Sequence, residues 1–465
     1  MATKTPRYAA LLLSLAACNA GGLTSSLPNH ALSAARAKSS YALVYSFRGA
    51  PDGYVPMGGL VSDGSGLLYG VTNYGGSPPR GCNGSTGCGT FFTFDPSSRQ
   101  DTILYSFGKM RDDGQLPNSL LFHNGSFYGT TQDGGTSASL GTVFKITPPA
   151  REGGKWNETI LYRFRGPPND GSSPSQLTID AAGAIYGTAG EGGPATKCAL
   201  GCGAIFKLTP APGKGEWNET ILHSFAGVPD GAAPSVLILG QNGTLYGETN
   251  AGGRSSACEG VQNLGCGTIF ALKPSRGSRW TETILHSFKA AKAPKNDGEF
   301  PYGGLTLAAD GALYGVTAYG GPVPGCYTQG YPWSGCGTFF LLKPVSGERT
   351  QWAESILYHF KGGSNDGAKP DSITPEGGGF YGTTVSGGAG YCNRGTGCGT
   401  LFHFIPSPHR TKWAETMAHS FSGGISDGWD PGGAVVADRN RLYGLTMYGG
   451  AFCTFGCGTI YEFKP

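Results

Sequence analysis

The sequence contains Leu68-Tyr69-Gly70-Val71-Thr72-Asn73-Tyr74-Gly75-Gly76, and variants of this stretch return along the whole chain. The Tyr-Gly dipeptide occurs at seven tyrosines: Tyr69, Tyr128, Tyr186, Tyr246, Tyr314, Tyr381 and Tyr443. Successive copies lie 58 to 68 residues apart. A period of this length indicates one repeat architecture rather than several unrelated domains.

Each copy predicts four short strands. Around every Tyr-Gly come, in order, Asp-Gly, Pro, an apolar stretch, Gly-Gly, a variable loop and Gly-Thr or Gly-Ala. In one unit the candidate strands lie near Leu177 and over residues 184–187, 204–208 and 219–225, bounded by turn-forming residues. Four antiparallel strands repeated seven times predict a β-propeller, in which radial repetition leaves only short edges.

The two ends of the repeated region match complementary strands. Residues 41–47 resemble the fourth strand of a unit, and residues 459–465 resemble the third. Pairing these ends would remove two free sheet edges. We therefore predict an all-β, seven-bladed propeller over residues 41–465, closed by pairing of strand 41–47 with the C-terminal blade.

Composition agrees with this architecture and excludes others. Gly and Pro together number 112 of 465 residues, whereas 11% are aromatic and 14% are charged. The chain is too aromatic for a disordered linker and too rich in helix breakers for a helical bundle. Its net charge of +3 leaves no electrostatic signature for nucleic acid or an anionic membrane surface.

The first forty residues predict export. Lys4 and Arg7 precede an apolar run over residues 8–17 that is too short to span a bilayer. Leu15-Ala16-Ala17-Cys18 resembles a bacterial lipobox, so residues 1–17 are interpreted as a lipoprotein signal peptide and Cys18 as the lipidation site. An ordinary signal peptide is the alternative. Residues 18–40 have the composition of a flexible tether.

The repeats resemble the Gloeo/Verruco tandem repeat, or GloVer. The resemblance rests on Leu-Tyr-Gly-x-Thr-x-x-Gly-Gly, on the Gly-Cys-Gly-Thr segments beginning at Gly87 and Gly265, and on Trp-x-Glu-Thr-Ile-Leu. It covers residues 41–465. The resemblance implies a surface or secreted location, with various anchors, but implies no common activity and no catalytic residues.

Twelve cysteines remain when Cys18 is set aside, and they fall in pairs within the variable loops. The spacing inside a pair varies from four to ten residues, whereas a metal site would hold spacing and ligand number constant. The shortest loop, 136–140, has no cysteine. We predict six local disulfides, with these pairings: Cys82–Cys88, Cys198–Cys202, Cys258–Cys266, Cys326–Cys336, Cys392–Cys398 and Cys453–Cys457.

Two repeated polar positions have structural explanations. The Asp of each Asp-Gly could contribute to a ring of carboxylates that binds a cation, or it could cap a turn, and the turn is favoured. Histidines at equivalent positions of the fourth strand, such as His223 and His286, are interpreted as strand residues. No metal site or cofactor is predicted, and common nucleophile and zinc motifs are absent from the sequence.

Binding residues are sought where the copies differ. Blade 5 has the longest cysteine loop, which contains three large aromatic residues: Tyr327, Tyr331 and Trp333. The loop leading into this blade contains three lysines: Lys289, Lys292 and Lys295. In a propeller both loops emerge on one face, and Trp429, in the corresponding inward loop of blade 7, is expected beside them. Aromatic and cationic groups together suit a sugar ring or an acidic peptide.

The favoured function is therefore a binding or interaction module at the bacterial surface, anchored only through lipid and expected to be a monomer. A glycan or protein ligand is expected, and nucleic acid is not. One alternative is an extracellular propeller enzyme, a hydrolase or lyase, that acts on a polysaccharide. Such enzymes use isolated acids that occur in one blade only. The second alternative is a purely structural envelope protein, and a secreted form is the alternative to anchoring.

Overall fold

The computed structural model describes residues 39–77, 82, 86–110, 112–151, 153–194, 197–211, 217–255, 258, 265–276, 279–290, 297–322, 326, 335–345, 351–392, 395–406 and 413–465. The chain divides into Met1–Lys38 and Ser39–Pro465. The predicted signal peptide, Cys18 and nearly all of the predicted tether lie outside the described residues.

Seven antiparallel sheets follow one another along the chain, as predicted. The first strands are β1 (Ser40–Ser46), β2 (Gly53–Ser62), β3 (Leu68–Gly75), β4 (Thr90–Asp95), β5 (Gln100–Ser106), β6 (Gly114–His123), β7 (Ser126–Gly134), β8 (Thr142–Thr147), β9 (Asn157–Arg163), β10 (Gly171–Ile179), β11 (Ile185–Gly192), β12 (Ala204–Pro210), β13 (Trp217–Ser224), β14 (Gly231–Leu239) and β15 (Leu245–Gly252).

The remaining strands are β16 (Thr268–Pro274), β17 (Trp280–Ser287), β18 (Gly298–Pro301), β19 (Thr306–Leu307), β20 (Leu313–Gly320), β21 (Thr338–Pro344), β22 (Trp352–His359), β23 (Gly367–Glu376), β24 (Gly379–Gly387), β25 (Thr400–Pro406), β26 (Trp413–Ser420), β27 (Gly428–Asp438), β28 (Arg441–Gly449) and β29 (Thr459–Lys464). One short 3-10 turn, Gln241–Gly243, precedes β15. Each blade begins with an inner strand at the Gly of Asp-Gly and runs outward through three further strands; in blade 5 the inner position is divided between β18 and β19, which both pair with β20.

The predicted closure is confirmed. Strand β1 pairs with β29 in antiparallel register, from Ser40 opposite Lys464 to Ser46 opposite Thr459, and completes the seventh blade as its outer strand. The hydroxyl of Tyr41 in β1 donates to Asp427 Oδ1 at 2.6 Å, and its ring stacks on His419 at 3.6 Å. The beginning and the end of the repeated region are therefore joined by backbone and side-chain contacts.

The repeated aromatic residues form the contacts within and between blades. The third strand places a buried ring beneath each Tyr-Gly, a Phe in six blades and Tyr461 in blade 7, and a Cβ at Gly187 would overlap the ring of Phe206. The Trp that begins an outer strand packs on the Tyr of the preceding blade, as Trp280 does on Tyr186 at 6.0 Å. These motifs are thus explained by packing.

The six predicted disulfides are present, with Cα atoms 4.9 to 5.5 Å apart. The carbonyl of the second cysteine accepts a hydrogen bond from the next inner strand, as Cys202 does from the Ala233 amide at 2.9 Å. In blade 2, which has no cysteine, the Leu140 carbonyl takes this place and accepts from Ser173. The disulfides therefore hold the residues through which neighbouring blades are joined.

Among the described residues, none of the helical segments has the length and apolar character needed to cross a membrane.

Candidate functional site

Most of the residues predicted for the blade 5 site, namely Tyr327, Tyr331, Trp333, Lys292 and Lys295, lie outside the described residues. Lys289 follows the outer strand of blade 4, and its backbone amide donates to Asp297 at 3.1 Å. Trp429 is the second residue of inner strand β27 rather than a loop residue, because the strand begins directly after Asp427. Its ring stacks on Tyr448 with centroids 4.5 Å apart.

The aspartates of the Asp-Gly pairs cap turns, which the sequence favoured over a cation-binding ring of carboxylates. Asp170 illustrates the pattern: its two oxygens accept the backbone amides of Arg165 at 2.7 Å and of Gly171 at 2.6 Å. The same oxygen that accepts from Arg165 also accepts the hydroxyl of Tyr162 at 2.9 Å. These carboxylates are thus bonded to the outer strand and its turn, which explains why the residue is present in every copy.

A third residue joins each of these turns to the following blade. Tyr162 also donates to Glu219 at 3.1 Å, and burial next to Asp170 raises the pKa of Glu219 to about 8. In three blades the Tyr position holds His223, His286 or His419. In the first two of these, His, Asp and Glu ligand atoms lie within 4.8 Å of one another. Because Tyr occupies the same position in other blades, we interpret these groups as blade junctions rather than metal centres.

Isolated acidic residues converge near the propeller axis. The inner strands share an Asp-Gly-x-x-Pro sequence, and the residue before Pro has a left-handed conformation in all seven blades, with φ between 52° and 59°. Lys369 and Asp430 occupy this position in blades 6 and 7. Directly after Pro stand Tyr302 in blade 5 and Asp371 in blade 6. We call Glu248, Tyr302, Lys369, Asp371 and Asp430 the axial cluster.

Glu248 is the most deeply buried member. It follows Tyr246-Gly247 in β15, where the other six blades have Val, Thr or Leu, and it has no exposed surface. Ser235 donates to its Oε1 at 3.1 Å, whereas its Oε2 has no partner among the described residues. Burial raises the pKa of Glu248 to about 8, so the carboxyl is protonated at neutral pH.

Asp371 and Asp430 have different environments. Asp371 is 8% exposed, accepts the Thr383 hydroxyl on Oδ1 at 2.6 Å, and has its pKa raised by burial to about 8. Asp430 is partly exposed, and burial raises its pKa to about 6 against the opposing charge of Lys369. At neutral pH the first carboxyl is therefore protonated and the second is ionised.

Tyr302 is the member of the cluster that is influenced by acids from three other blades. It keeps 44% of its surface exposed, yet loss of hydration and the charges of Asp371, Glu248 and Asp430 raise its pKa. These three acids belong to blades 6, 4 and 7 respectively, so their influence on one tyrosine places it where the blades meet.

A pocket of about 370 Å³ opens beside the cluster in blade 6. Blades 5 and 7 carry large rings where their first two strands pair, with Tyr319 in one and Trp429 and Tyr448 in the other. Blade 6 has Ala368 and Ser386 at the same positions, and both line the pocket. Small side chains between two aromatic blades therefore create the recess.

Lys369 connects the pocket to the axial cluster. It lines the pocket together with Tyr391, which is 86% exposed, and its Nζ lies 5.4 Å from the centre of the Tyr319 ring. Burial lowers the pKa of Lys369, and the nearby charge of Asp430 opposes that effect. Cys326, the residue before Tyr327, also lines the pocket. The described structure thus places a polar recess next to the end of the predicted blade 5 loop.

The sequence prediction missed the axial cluster, although the signal was present. Aligning the seven copies on Asp-Gly-x-x-Pro shows that charge before Pro occurs only at Lys369 and Asp430, and after Pro only at Asp371. Aligning them on Tyr-Gly-x shows a charge only at Glu248. The copies therefore differ in charge on their strands as well as in their loops.

A family model matches residues 80–322 and 199–396, with the description Gloeobacter/Verrucomicrobia repeat. The chain belongs to this family. The resemblance expected from the repeats is therefore confirmed for this Gloeobacter/Verrucomicrobia repeat protein. No curated protein matches its sequence.

Solved structures similar to the Gloeobacter/Verrucomicrobia repeat protein share its fold at low identity. An ulvan lyase from a polysaccharide lyase family, bound to -[GlcA(1-4)Rha3S]-, is 10% identical with a TM-score of 0.50, covering 90% of this chain and 95% of that one. A putative 6-phosphogluconolactonase from Bacteroides fragilis is 13% identical with a TM-score of 0.44, covering 77% and 82%. A gluconolactonase from Xanthomonas campestris is 11% identical with a TM-score of 0.39, covering 92% and 89%. At these identities the likeness shows the fold alone.

Proposed function

We propose that this protein is an exported, surface-anchored propeller that binds a glycan in the blade 6 pocket. The observation that carries the proposal is the recess itself, which lies between aromatic blades and is lined by the exposed ring of Tyr391 and by half-buried Lys369. An exposed ring provides a stacking surface for a sugar, and a lysine provides a partner for a carboxylate or sulfate. A glycan with acidic groups fits this combination.

The disulfides support the proposed location. Six local bridges persist in an oxidising compartment and would be reduced in the cytoplasm of most bacteria. Together with the predicted lipobox, they favour anchoring through an acylated Cys18. Cys18→Ser should abolish acyl labelling and release the protein from membranes; unchanged labelling and partitioning would reject the anchor.

Binding can be tested by affinity electrophoresis in gels containing xylan, a neutral β-glucan, polygalacturonate or alginate. Tyr391→Ala should weaken binding to any retained polysaccharide, because the stacking surface is lost. Lys369→Met should weaken binding to the acidic polysaccharides about tenfold and affect neutral ones less. Leu200→Ala is the matched control, since Leu200 is 59% exposed and lies in the disulfide loop of blade 3.

The outcomes separate the alternatives. Equally strong retention of wild type, Tyr391→Ala and Lys369→Met would reject the pocket as the binding site. If, in addition, Trp333→Ala alone lost its retention, binding would be assigned to the predicted blade 5 loop. Retention of poly-glutamate instead of a polysaccharide would favour the acidic peptide. No retention of any probe would reject the binding module and leave the structural envelope role as the better explanation.

A further inference from the structure

We propose that the bound glycan is a chain of several sugars, which extends from the blade 6 pocket along an arc of aromatic side chains over blades 5, 6, 7 and 1. This inference rests on the proposed glycan binding and adds the length and the path of the ligand. The arc is formed where the inner strand of a blade, directly after its Asp-Gly turn, pairs with the second strand, as Trp429 does with Tyr448. We call the two residues paired at this position a turn pair.

The turn pairs differ between the two sides of the propeller. From blade 5 through blades 6 and 7 to blade 1 they are Glu299 and Tyr319, Ala368 and Ser386, Trp429 and Tyr448, and Tyr54 and Tyr74. In blades 2, 3 and 4 they are Gln115 and Asp133, Ser172 and Glu191, and Ala232 and Ala251. Because blades 2, 3, 4 and 6 fold without an aromatic turn pair, the repeat does not require these rings. Their restriction to one side of the ring therefore indicates a ligand surface.

The turn pairs of blades 7 and 1 form two aromatic platforms. The rings of Trp429 and Tyr448 stack with an angle of 26° between their planes, and those of Tyr54 and Tyr74 lie 5.7 Å apart at 37°. All four side chains are half-buried. Burial raises the pKa of Tyr448, and nearby Asp430 and both tyrosines of blade 1 raise it further. The two platforms therefore lie close together and present partly exposed rings in fixed positions, which suits stacking against sugars.

The pocket and the blade 7 platform are joined through the disulfide loop of blade 6. Tyr391, which lines the pocket, precedes Cys392 of that loop. A Cβ built at Gly423 would lie 2.8 Å from Cys392 Sγ and 3.6 Å from Trp429 Cδ1. The backbone amide of the residue after Trp429 also donates to the carbonyl of the second cysteine of the loop at 3.1 Å. The indole therefore stands next to the loop that carries the exposed ring of the pocket.

The platforms of blades 7 and 1 are joined in the same way through the disulfide loop of blade 7. The indole Nε1 of Trp429 donates to the Phe455 carbonyl of this loop at 3.2 Å. Two residues further along, the Cys457 carbonyl accepts the amide of Val55, the residue after Tyr54, at 3.1 Å. Phe455 is itself 74% exposed. Both platforms are therefore fixed to one loop, and that loop presents a further exposed ring.

A chain fits this surface better than a single sugar, because the arc continues on both sides of the pocket. On one side Lys369, which lines the pocket, has its Nζ 5.4 Å from the centre of the Tyr319 ring of blade 5. On the other side Tyr391 leads to the platform of Trp429. The pocket thus lies within the arc and not at its end, and the ligand is an internal segment of a polysaccharide.

The test measures, by calorimetric titration, the binding of oligosaccharides of increasing length prepared from each polysaccharide that the wild-type protein retains in the affinity gels. The affinity of wild type should rise with chain length until the arc is filled. Trp429→Ala and Tyr54→Ala should each weaken binding of the longest oligosaccharides about fivefold, the size of one aromatic stacking contact. They should affect the shortest ones less, because the pocket holds these. Gln115→Ala, at the turn pair of blade 2, is the matched control and should bind every length as wild type does.

Two further readouts separate stacking from structural damage. Trp429→Phe and Tyr54→Phe retain a ring and should recover most of the affinity that the alanine variants lose. The change in tryptophan fluorescence on adding a long oligosaccharide should persist in Trp333→Ala and disappear in Trp429→Phe.

Three results would overturn the arc while leaving glycan binding in the pocket intact. These are an affinity that does not change with chain length, alanine variants that bind the longest oligosaccharides as wild type does, and an equal loss for short and long oligosaccharides in both alanine variants. A fluorescence change that survives in Trp429→Phe would remove Trp429 from the arc. Failure of every polysaccharide and oligosaccharide to bind would overturn both proposals.

Discussion

Replacing Glu248 by Gln tests whether a neutral carboxyl is built into the centre of the propeller. The pKa of Glu248 is raised by burial from the ordinary value of 4.5 to about 8. The folded state thus binds this proton more tightly than the unfolded state does. Its contribution to stability is complete below pH 4.5 and is lost as the pH rises toward 8, because ionising the buried group becomes a cost of folding.

The size of the effect follows from the shift. Each pKa unit corresponds to 1.36 kcal/mol, so a shift of about 3.5 units corresponds to about 5 kcal/mol over the whole titration. Between pH 5.5 and 8.5 the linkage relation gives a loss of about 3 kcal/mol for wild type. The amide introduced by Glu248→Gln would not titrate, and it nearly matches the shape of the protonated acid. The variant should therefore gain about 3 kcal/mol relative to wild type across that interval.

The assay is urea unfolding of wild type and Glu248→Gln at pH 5.5, 7.0 and 8.5, followed by tryptophan fluorescence. Taking the difference between the two proteins cancels the titration of all other groups. Glu376→Gln, at an exposed position, is the control and should show no such change with pH. A constant difference between Glu248→Gln and wild type at all three pH values would refute the assignment of a protonated carboxyl.

Three other changes test the fold. Tyr461→Phe should raise stability by about 1 kcal/mol in thermal unfolding, because the Tyr461 hydroxyl is buried without a partner among the described residues; a lower melting temperature would reveal a hidden partner. Removing the bridge with Cys198→Ser and Cys202→Ser should cost about 2 kcal/mol through loop entropy, and unchanged unfolding under oxidising conditions would contradict that role. Tyr41→Phe loses the hydrogen bond to Asp427 and should cost about 1 to 2 kcal/mol; an unchanged melting temperature would mean that backbone pairing alone closes the ring.

The blade architecture was predictable because the same short sequence motifs recur in each blade. Gly at the Tyr-Gly position is required by the close approach of the aromatic ring below it, a Phe in six blades and Tyr461 in the seventh, and the pattern therefore appears in every copy. The cysteine pairs were equally clear, since each bridge closes a loop within one blade. Strand ends were less accurate: the inner strands begin at the Gly of Asp-Gly, so that Trp429 is a strand residue.

The candidate site was less predictable because it combines residues far apart in the chain. The loop hypothesis led to Tyr327, Tyr331 and Trp333, which the described structure does not reach, and their role remains a prediction. The axial acids were visible as single departures from the repeat, but a departure alone does not distinguish a tolerated substitution from part of a site. Only their meeting around Tyr302 makes that distinction.

Repetition encodes contacts that are local or that link one blade to the next, and these can be read along the chain because they recur at a constant spacing. The chemistry at the axis depends on the circular arrangement of the blades. Glu248 and Asp430 are separated by three blades in sequence, and they influence the same tyrosine because closure through β1 and β29 brings all the inner strands around one axis. The altered pKa values of these acids likewise arise from burial among several blades, which no single repeat contains.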